Sequence, residues 1–200
     1  MSTCQCHCNE HSTEGQVRAV LMSEHRVIER VLDAVERMLQ SGAFDKAFLL
    51  KAIDFLRNFA DGCHHAKEEE CLFPELERTG MPRAGGPIGC MLHEHDAGRT
   101  CIGNMLAGID AAANGDAAAL AGVRSAARDY ICLLRQHIQK EDNILFVVAE
   151  NVLSARQKSQ LLDAFERLEH GANHGDRHGK YVAIAEELAR WNFSSSVAAV

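Results

Sequence analysis

HHAKEEECLF at residues 64–73 and HIQKEDNILF at residues 137–146 are two copies of one pattern, H-x-x-K-E-[ED]-x-x-L-F. In each copy a histidine is followed four residues later by a glutamate. Residues four apart lie on the same face of an α-helix, so each copy directs an imidazole and a carboxylate to one side. Each copy therefore predicts half of a metal site. The two pairs are His64 with Glu68 and His137 with Glu141.

A shorter motif precedes each copy of the longer one. Glu24 and His25 end the segment LMSEH, and Glu94 and His95 end the segment MLHEH. The two short motifs are 70 residues apart and the two long ones are 73 residues apart, which predicts a duplicated helical hairpin. A pseudo-twofold axis between the halves would bring six side chains together in the core. The predicted metal ligands are His25, His64, Glu68, His95, His137 and Glu141.

Four long helices are predicted from apolar residues that recur at the α-helical period. The first helix ends at Ser41 and Gly42, and Asp45 and Asp116 are placed to cap the second and fourth helices. Pro74 follows the first long motif within a helical pattern, so we expect it to kink or stop the second helix. Short connections favour antiparallel neighbours. The sequence therefore predicts an all-α fold, an up-down-up-down four-helix bundle.

Segments flank the predicted bundle on both sides. Residues 1–14 are expected to form a flexible tail rich in cysteine and histidine, either a polar tail that takes up metal opportunistically or a second docking point for metal. The bundle covers residues 15–151. A capping box at residues 154–157 opens a C-terminal appendage, residues 152–193, of one or two additional helices. Residues 194–200 are predicted to be disordered.

The composition limits the classes of partner. The net charge is −7 and no basic stripe is present, so nucleic acid is not an expected partner. No apolar run is long enough to span a bilayer and no targeting signal is recognisable, which predicts a cytoplasmic protein without a membrane partner. The C-terminal appendage is a candidate surface for a protein partner. Five cysteines are expected to behave as small, reduced, buried hydrophobic residues: Cys63, Cys71, Cys90, Cys101 and Cys132.

Buried histidines and carboxylates are costly without a partner, and a metal would provide one. Four imidazoles and two carboxylates suit a pair of divalent ions in which each glutamate can bridge. The two short and two long motifs, in this order, resemble those of the hemerythrin-like proteins, also called HHE cation-binding domains. The resemblance covers about residues 17–150. It implies a four-helix bundle around two non-haem iron ions, with zinc or manganese as substitutes, that meets dioxygen, nitric oxide or peroxide.

Two departures from the oxygen-carrying hemerythrins affect the expected function. Those proteins have two histidines four apart on the third helix, but the position four before His95 is Met91 here. They also have a His-x4-Asp pair on the fourth helix, where this chain offers Glu141 or, alternatively, Asp142. A missing nitrogen ligand favours reaction with oxygen, nitric oxide or peroxide in sensing or stress response over oxygen carriage. The alternative is a non-catalytic module that stores or delivers iron or zinc, including repair of damaged iron centres.

Several further side chains are open candidates. His65 lies about 100° around an α-helix from His64, so His64 is preferred as the ligand. Tyr130 is two helical turns before His137 and either hydrogen-bonds a metal-bound oxygen species or is an ordinary core tyrosine. His170, His174 and His178 are four residues apart in a glycine-interrupted loop, where this spacing is weak evidence for ligands, but His178 could cap the open end of the bundle. Lys67 and Lys140 are expected to extend their charged ends to solvent or to pair with Glu70 and Asp142.

Overall fold

The computed structural model describes residues 15–170 and 177–193, and within these ranges the chain forms six helices and no strand. The predicted tails at residues 1–14 and 194–200, His174 and the side chain of His170 lie outside the described part. The helices are α1 (Gln16–Ser41), α2 (residues 46–78), α3 (Pro87–Ala113), α4 (residues 117–152), α5 (Ala155–His170) and α6 (Arg177–Ala189).

Two of these helices change from α-helical to π-helical backbone where they approach the centre of the bundle. In α2, Lys46–Phe55 is α-helical, Leu56–His65 and Glu68–Leu72 are π-helical, and Phe73–Arg78 is α-helical again. In α4, Ala117–Lys140 is α-helical, Glu141–Leu145 is π-helical and Phe146–Val152 is α-helical. A π-helical segment thus begins at the motif glutamate in both copies. Such segments occur frequently at functional sites.

The predicted helix ends are confirmed in most cases. The Asp45 side chain accepts a hydrogen bond from the backbone N–H of Phe48, and Asp116 caps α4 in the same way. Gly42 ends α1 with φ of 73°, a left-handed conformation that favours glycine. Pro74 does not stop α2, because a π-helical segment ends just before it and the proline occupies the first turn of the next α-helical segment, where its missing N–H costs little.

The core consists of two apolar clusters, and their order along successive helices is that of an antiparallel bundle. The first cluster contains Ile28 of α1 and Phe55 of α2, and the second contains Leu21 of α1 and Phe73 of α2. Along α1 and α3 the chain passes from the second cluster to the first, and along α2 and α4 it passes back. This alternation confirms the up-down-up-down bundle. The histidine of each motif lies between the two clusters.

The two C-terminal helices complete these clusters. Leu161 and Phe165 of α5 belong to the second cluster, and Tyr181 and Leu188 of α6 belong to the first. α6 contacts α1 and α2, whereas α5 contacts α1 and the π-helical segment of α2 that follows the first motif histidines. The extra helices therefore cover one side of the bundle.

The prediction that the five cysteines are buried is wrong for most of them. Cys63 is buried, Cys71 and Cys101 are half-buried, and Cys90 and Cys132 are exposed. Cys90 and Cys132 lie on faces of α3 and α4 that point to solvent. Their spacing from the apolar residues in the sequence did not distinguish these faces from buried ones.

None of the helices in the described part of the chain combines the length and the apolar character that a membrane span requires.

Candidate metal centre

Four side chains from three helices form what we call the first histidine group. It consists of His25, His64, Glu68 and Glu141, all buried, with one donor atom from each lying within 4.8 Å of the others. His25 Nε2 is 3.2 Å from a Glu141 oxygen, and His64 Nε2 is 3.7 Å from a Glu68 oxygen. The helical spacing predicts the contact between His64 and Glu68, whereas the contact between His25 and Glu141 joins two different helices.

A second histidine group shares Glu68 with the first. It consists of His65, Glu68, His95 and His137, again buried and with donor atoms within 4.8 Å of one another. His95 Nε2 is 3.5 Å from Glu68 Oε2, whereas the other oxygen of Glu68 faces the first group. Glu141 Oε2 is 3.2 Å from His25 Nε2 and 3.1 Å from His137 Nε2. Both glutamates therefore lie between the two groups, the arrangement that a bridging carboxylate requires.

The orientation of each predicted histidine is fixed by a carboxylate from another helix. His25 Nδ1 is 2.7 Å from Asp142, and His95 Nδ1 is 2.7 Å from Glu69. His64 and His137 make the same contact, at 3.0 Å, with Glu24 and Glu94 respectively. A carboxylate at Nδ1 leaves Nε2 to face the centre. The glutamate of each short motif and the second acid of each long motif thus have a structural explanation.

The lysines of the long motifs form ion pairs with the carboxylates around the centre, and their partners differ from those predicted. Lys67 is fully buried and pairs with Glu24 of α1 and Glu169 of α5, not with Glu70. Lys140 pairs with Glu94, not with Asp142, and 38% of its side chain is exposed. Each lysine contacts the carboxylate that orients the motif histidine of its own helix. The lysine and the histidine are about one helical turn apart, so both side chains reach the same carboxylate.

Buried donor atoms without partners converge on the two groups. In the described residues nine buried side-chain N and O atoms lack a hydrogen bond, and seven of them belong to five residues of this centre. Leaving such groups unsatisfied costs about 1–3 kcal/mol each, more for charged groups. A metal ion would satisfy carboxylate oxygens and imidazole nitrogens together, so the residues fit a metal. The five residues are His25, His64, His65, Glu68 and Glu141.

The pKa shifts show how the metal-free centre accommodates its charge. Burial and the neighbouring Glu141 raise the pKa of Glu68 well above its usual value, which favours its protonated form. Burial acts against Glu141 too, but His137 and His25 outweigh it and hold the pKa of Glu141 well below its usual value. Burial opposes the imidazolium of His137, yet Glu141 and Glu94 raise its pKa to about 9. Burial and the nearby His25 lower the pKa of His64 to about 4.

All six predicted ligands lie together in the two groups, and one additional histidine joins them. His65 stacks on His95 with ring centroids 3.8 Å apart and belongs to the second group. The expectation that only His64 can face the centre assumed an α-helix. His64 and His65 end a π-helical segment, in which the wider turn reduces the angle between successive side chains. The one available signal was the His-His doublet in the first motif, where the second motif has His137 and Ile138.

The remaining candidates lie around the centre. Asp142 contacts Nδ1 of His25 and is not a member of either group, whereas Glu141 belongs to the first group. His178 Nε2 is 3.9 Å from Glu24 and also lies outside both groups. His93 is exposed, as expected for a residue two positions from His95. Tyr130 is buried and lines a cavity beside His65.

Comparisons with known proteins agree with this centre. The chain is 27% identical over 154 residues to an uncharacterized protein of Mycobacterium tuberculosis strain H37Rv, covering 75% of this chain and 60% of that protein. It is 37% identical over 105 residues to the iron-sulfur cluster repair protein YtfE of Edwardsiella ictaluri, covering 49% of this chain and 45% of that protein. A similar match, 41% over 91 residues, covers 42% of this chain and 38% of YtfE of Musicola paradisiaca.

The chain therefore spans no more than 60% of the length of these relatives. No solved structure matched closely enough to support a comparison. The family model of the hemerythrin HHE cation-binding domain matches residues 16–149, which include both motif pairs and every residue of the two histidine groups. From this match, the chain belongs to the hemerythrin HHE cation-binding family.

Proposed function

We propose that the chain binds two non-haem iron ions in the two histidine groups and reacts with dioxygen, nitric oxide or peroxide in sensing or stress response. Seven buried donor atoms without partners, converging on two groups joined by Glu68 and Glu141, carry this proposal. Two ferrous ions would supply electrons to an oxidant and coordination positions for a small molecule. The carboxylates at Nδ1 would hold the imidazoles in place for both ions.

The second histidine group is the better candidate for the reacting position. His65 and His95 line a cavity of about 360 Å³ between α2, α3 and α4, which gives small molecules a route to this group. His25 and His64 of the first group do not line this cavity. The first ion would then have a mainly structural or electron-storing role.

The alternative is a non-catalytic module that stores or delivers iron or zinc, or contributes to the repair of iron centres. The names of the two YtfE relatives, iron-sulfur cluster repair proteins, favour this alternative. A cytoplasmic location and a protein partner at the C-terminal appendage remain predictions from the sequence.

Anaerobic loading with ferrous iron tests the proposal. We expect two irons per chain by elemental analysis, and a change in the near-ultraviolet and visible absorption on exposure to air, nitric oxide or peroxide. Two irons that pass to an acceptor such as ferrozine, without any spectral response to the three oxidants, would favour storage or delivery. A single zinc per chain after purification from iron-replete cells would contradict the assignment.

A further inference from the structure

A cavity beside the second histidine group is larger than a diatomic ligand requires. Its volume is about 360 Å³. Pockets that take small organic molecules begin at about 300 Å³, whereas a water molecule occupies about 30 Å³ of liquid. The walls are mainly apolar, with Leu56 from α2, Ile102 and Leu106 from α3 and Leu134 from α4. The cavity is thus suited to an organic molecule with an apolar body.

Tyr130 contributes a hydrogen-bond donor to this apolar space. The residue is 4% exposed and lines the cavity, and its hydroxyl has no hydrogen-bond partner among the described residues. The hydroxyl oxygen is not among the fully buried atoms that lack a partner, so it is accessible from the cavity and can donate its hydrogen to a ligand atom there. Burial raises the pKa of Tyr130, which keeps the hydroxyl protonated and able to donate.

The two arginines that line the cavity are either paired with carboxylates or exposed to solvent. Arg99 forms ion pairs with Asp61 at 2.8 Å, Glu69 at 2.6 Å and Asp96 at 2.9 Å. Arg57 also lines the cavity but is exposed, and solvent weakens its attraction for an anion. An uncharged ligand therefore matches the cavity better than an ionic one.

From these observations we infer that the cavity binds a small, uncharged organic molecule with an apolar body and one oxygen that accepts a hydrogen bond from Tyr130. This ligand class goes beyond the proposed reaction with diatomic molecules and peroxide. The binding depends on the cavity walls and on Tyr130, so the inference holds whichever metal the two groups contain.

Titration of the purified protein with cumyl alcohol and with cumene tests the inference, because the two probes differ in one hydroxyl. The alcohol loses the hydration of its hydroxyl on binding, so each probe is compared between the natural chain and Tyr130→Phe. Ligand-observed NMR or calorimetry should show that Tyr130→Phe lowers the affinity for the alcohol about tenfold, the effect of one hydrogen bond, and leaves cumene binding within about twofold. An affinity for the alcohol that is the same in the natural chain and in Tyr130→Phe would overturn the role of Tyr130.

A blocking variant locates the binding. Gly98 lines the cavity, and a Cβ at this position would lie 3.5 Å from the Tyr130 ring, an ordinary contact. Gly98→Leu should therefore fill the space and abolish binding of both probes. Gly122→Leu is the matched control, since Gly122 is exposed, has nothing within 4 Å of a built Cβ and lies away from the cavity.

Unchanged binding in Gly98→Leu would overturn the location. If Gly98→Leu loses its cooperative thermal melt, Tyr130→Phe with the alcohol and hydrocarbon pair decides the question, because that change removes only one oxygen. Tighter binding of 2-phenylpropanoate than of cumyl alcohol would overturn the assignment to an uncharged ligand.

Discussion

The imidazoles of the centre are oriented residue by residue through carboxylates on neighbouring helices. Glu24 holds His64 across from α1 to α2, and Glu94 holds His137 across from α3 to α4. The short motif therefore supplies a histidine to the centre and, one position earlier, the carboxylate that orients a histidine of the next helix. This explains why glutamate and histidine are adjacent in both short motifs.

Replacement of these carboxylates should weaken metal binding without removing a ligand. We expect Glu24→Gln and Glu94→Gln each to lower the affinity for ferrous iron or zinc about 10- to 100-fold, because a neutral amide orients the imidazole less firmly. Competition against a chelator of known affinity measures the change. Glu166→Gln, at an exposed position of α5, is the control. Unchanged affinity in both variants would show that the orientation of these rings does not depend on their charge.

Loss of His65 should affect one of the two metal positions. His65 belongs only to the second histidine group, so His65→Gln should weaken one binding step and leave the other within about twofold. Stepwise titration with elemental analysis separates the two steps. His93→Gln removes an exposed histidine from α3 and should leave both steps unchanged. If both binding steps of His65→Gln have the same metal affinities as those of the natural chain, His65 lies outside the metal centre.

At the scale of the helices, the two long motifs lie in different surroundings. Lys67 on α2 is covered by α5, whose Glu169 contacts it, and no part of its side chain is exposed. Lys140 on α4 occupies the equivalent position but remains 38% exposed. The duplication in sequence therefore does not produce equal halves. The C-terminal helices bury one lysine and leave the other in contact with solvent.

This difference predicts unequal effects of the same substitution. Lys67→Met leaves Glu24 without its cation in a buried position, and we expect a loss of about 3 kcal/mol in the free energy of unfolding. Lys140→Met removes a pair that is partly open to solvent and should cost less than about 1 kcal/mol. Urea denaturation of the metal-free proteins measures both values. Losses that agree within error would contradict a structural role for the α5 contact.

The helices and their ends could be predicted from sequence, but the local backbone of α2 and α4 could not. Hydrophobic period and capping residues such as Asp45 and Asp116 depend on neighbours in sequence. The π-helical segments depend on how side chains pack at the centre. The prediction for His65 assumed the period of an α-helix and therefore directed its side chain away from the centre. The partner of Lys67 was missed for a related reason, because Glu169 is 102 residues away and meets it only in the folded chain.

Glu150 near the end of α4 connects three elements and predicts a pH dependence of stability. Its carboxylate accepts a hydrogen bond from the backbone N–H of Gly15 and forms a 2.5 Å contact with Lys158. Burial acts against the charge, but Lys158 and Gly15 outweigh it and lower the pKa of Glu150. A lowered pKa stabilises the folded chain at pH values above the unfolded pKa of about 4.5.

The stabilisation should disappear as the pH falls from about 4.5 through the lower pKa of the folded state. We expect Glu150→Gln to cost about 1 kcal/mol at pH 7 and much less at pH 3, since protonated Glu150 and glutamine are both neutral. Thermal melts at the two pH values provide the measurement. Glu166→Gln should show no such difference. A constant loss at both pH values would assign the effect of Glu150→Gln to packing rather than to charge.

At the scale of the whole molecule, a polar layer lies between two apolar clusters. Each motif histidine is flanked by first-cluster residues on one side and second-cluster residues on the other, such as Ile28 and Leu21 around His25. The apolar clusters exclude water from carboxylates and imidazoles that lack partners. The two apolar clusters therefore stabilise the fold, whereas the polar layer between them destabilises it. A metal can bind in this polar layer.

Metal removal should consequently lower the stability of the entire bundle. Free metal at 100 times the Kd of one position stabilises the folded chain by about 2.7 kcal/mol, which corresponds to about 5–10 °C in Tm for a chain of this size. Calorimetry of the loaded protein before and after treatment with a chelator measures the shift. Apolar clusters on both sides of the centre should transmit the effect, so a single cooperative transition is expected.

Glu68→Gln separates metal binding from the intrinsic cost of the shared carboxylate. Because burial and Glu141 raise the pKa of Glu68 and so favour its neutral form, the neutral glutamine should leave the metal-free Tm equal or slightly higher. The same variant lacks the carboxylate that both groups share, so added metal should raise its Tm by less than about 2 °C. A full metal-dependent shift in Glu68→Gln would mean that the stabilising ion binds elsewhere. A large fall of the metal-free Tm would instead mean that the charge of Glu68 supports the fold.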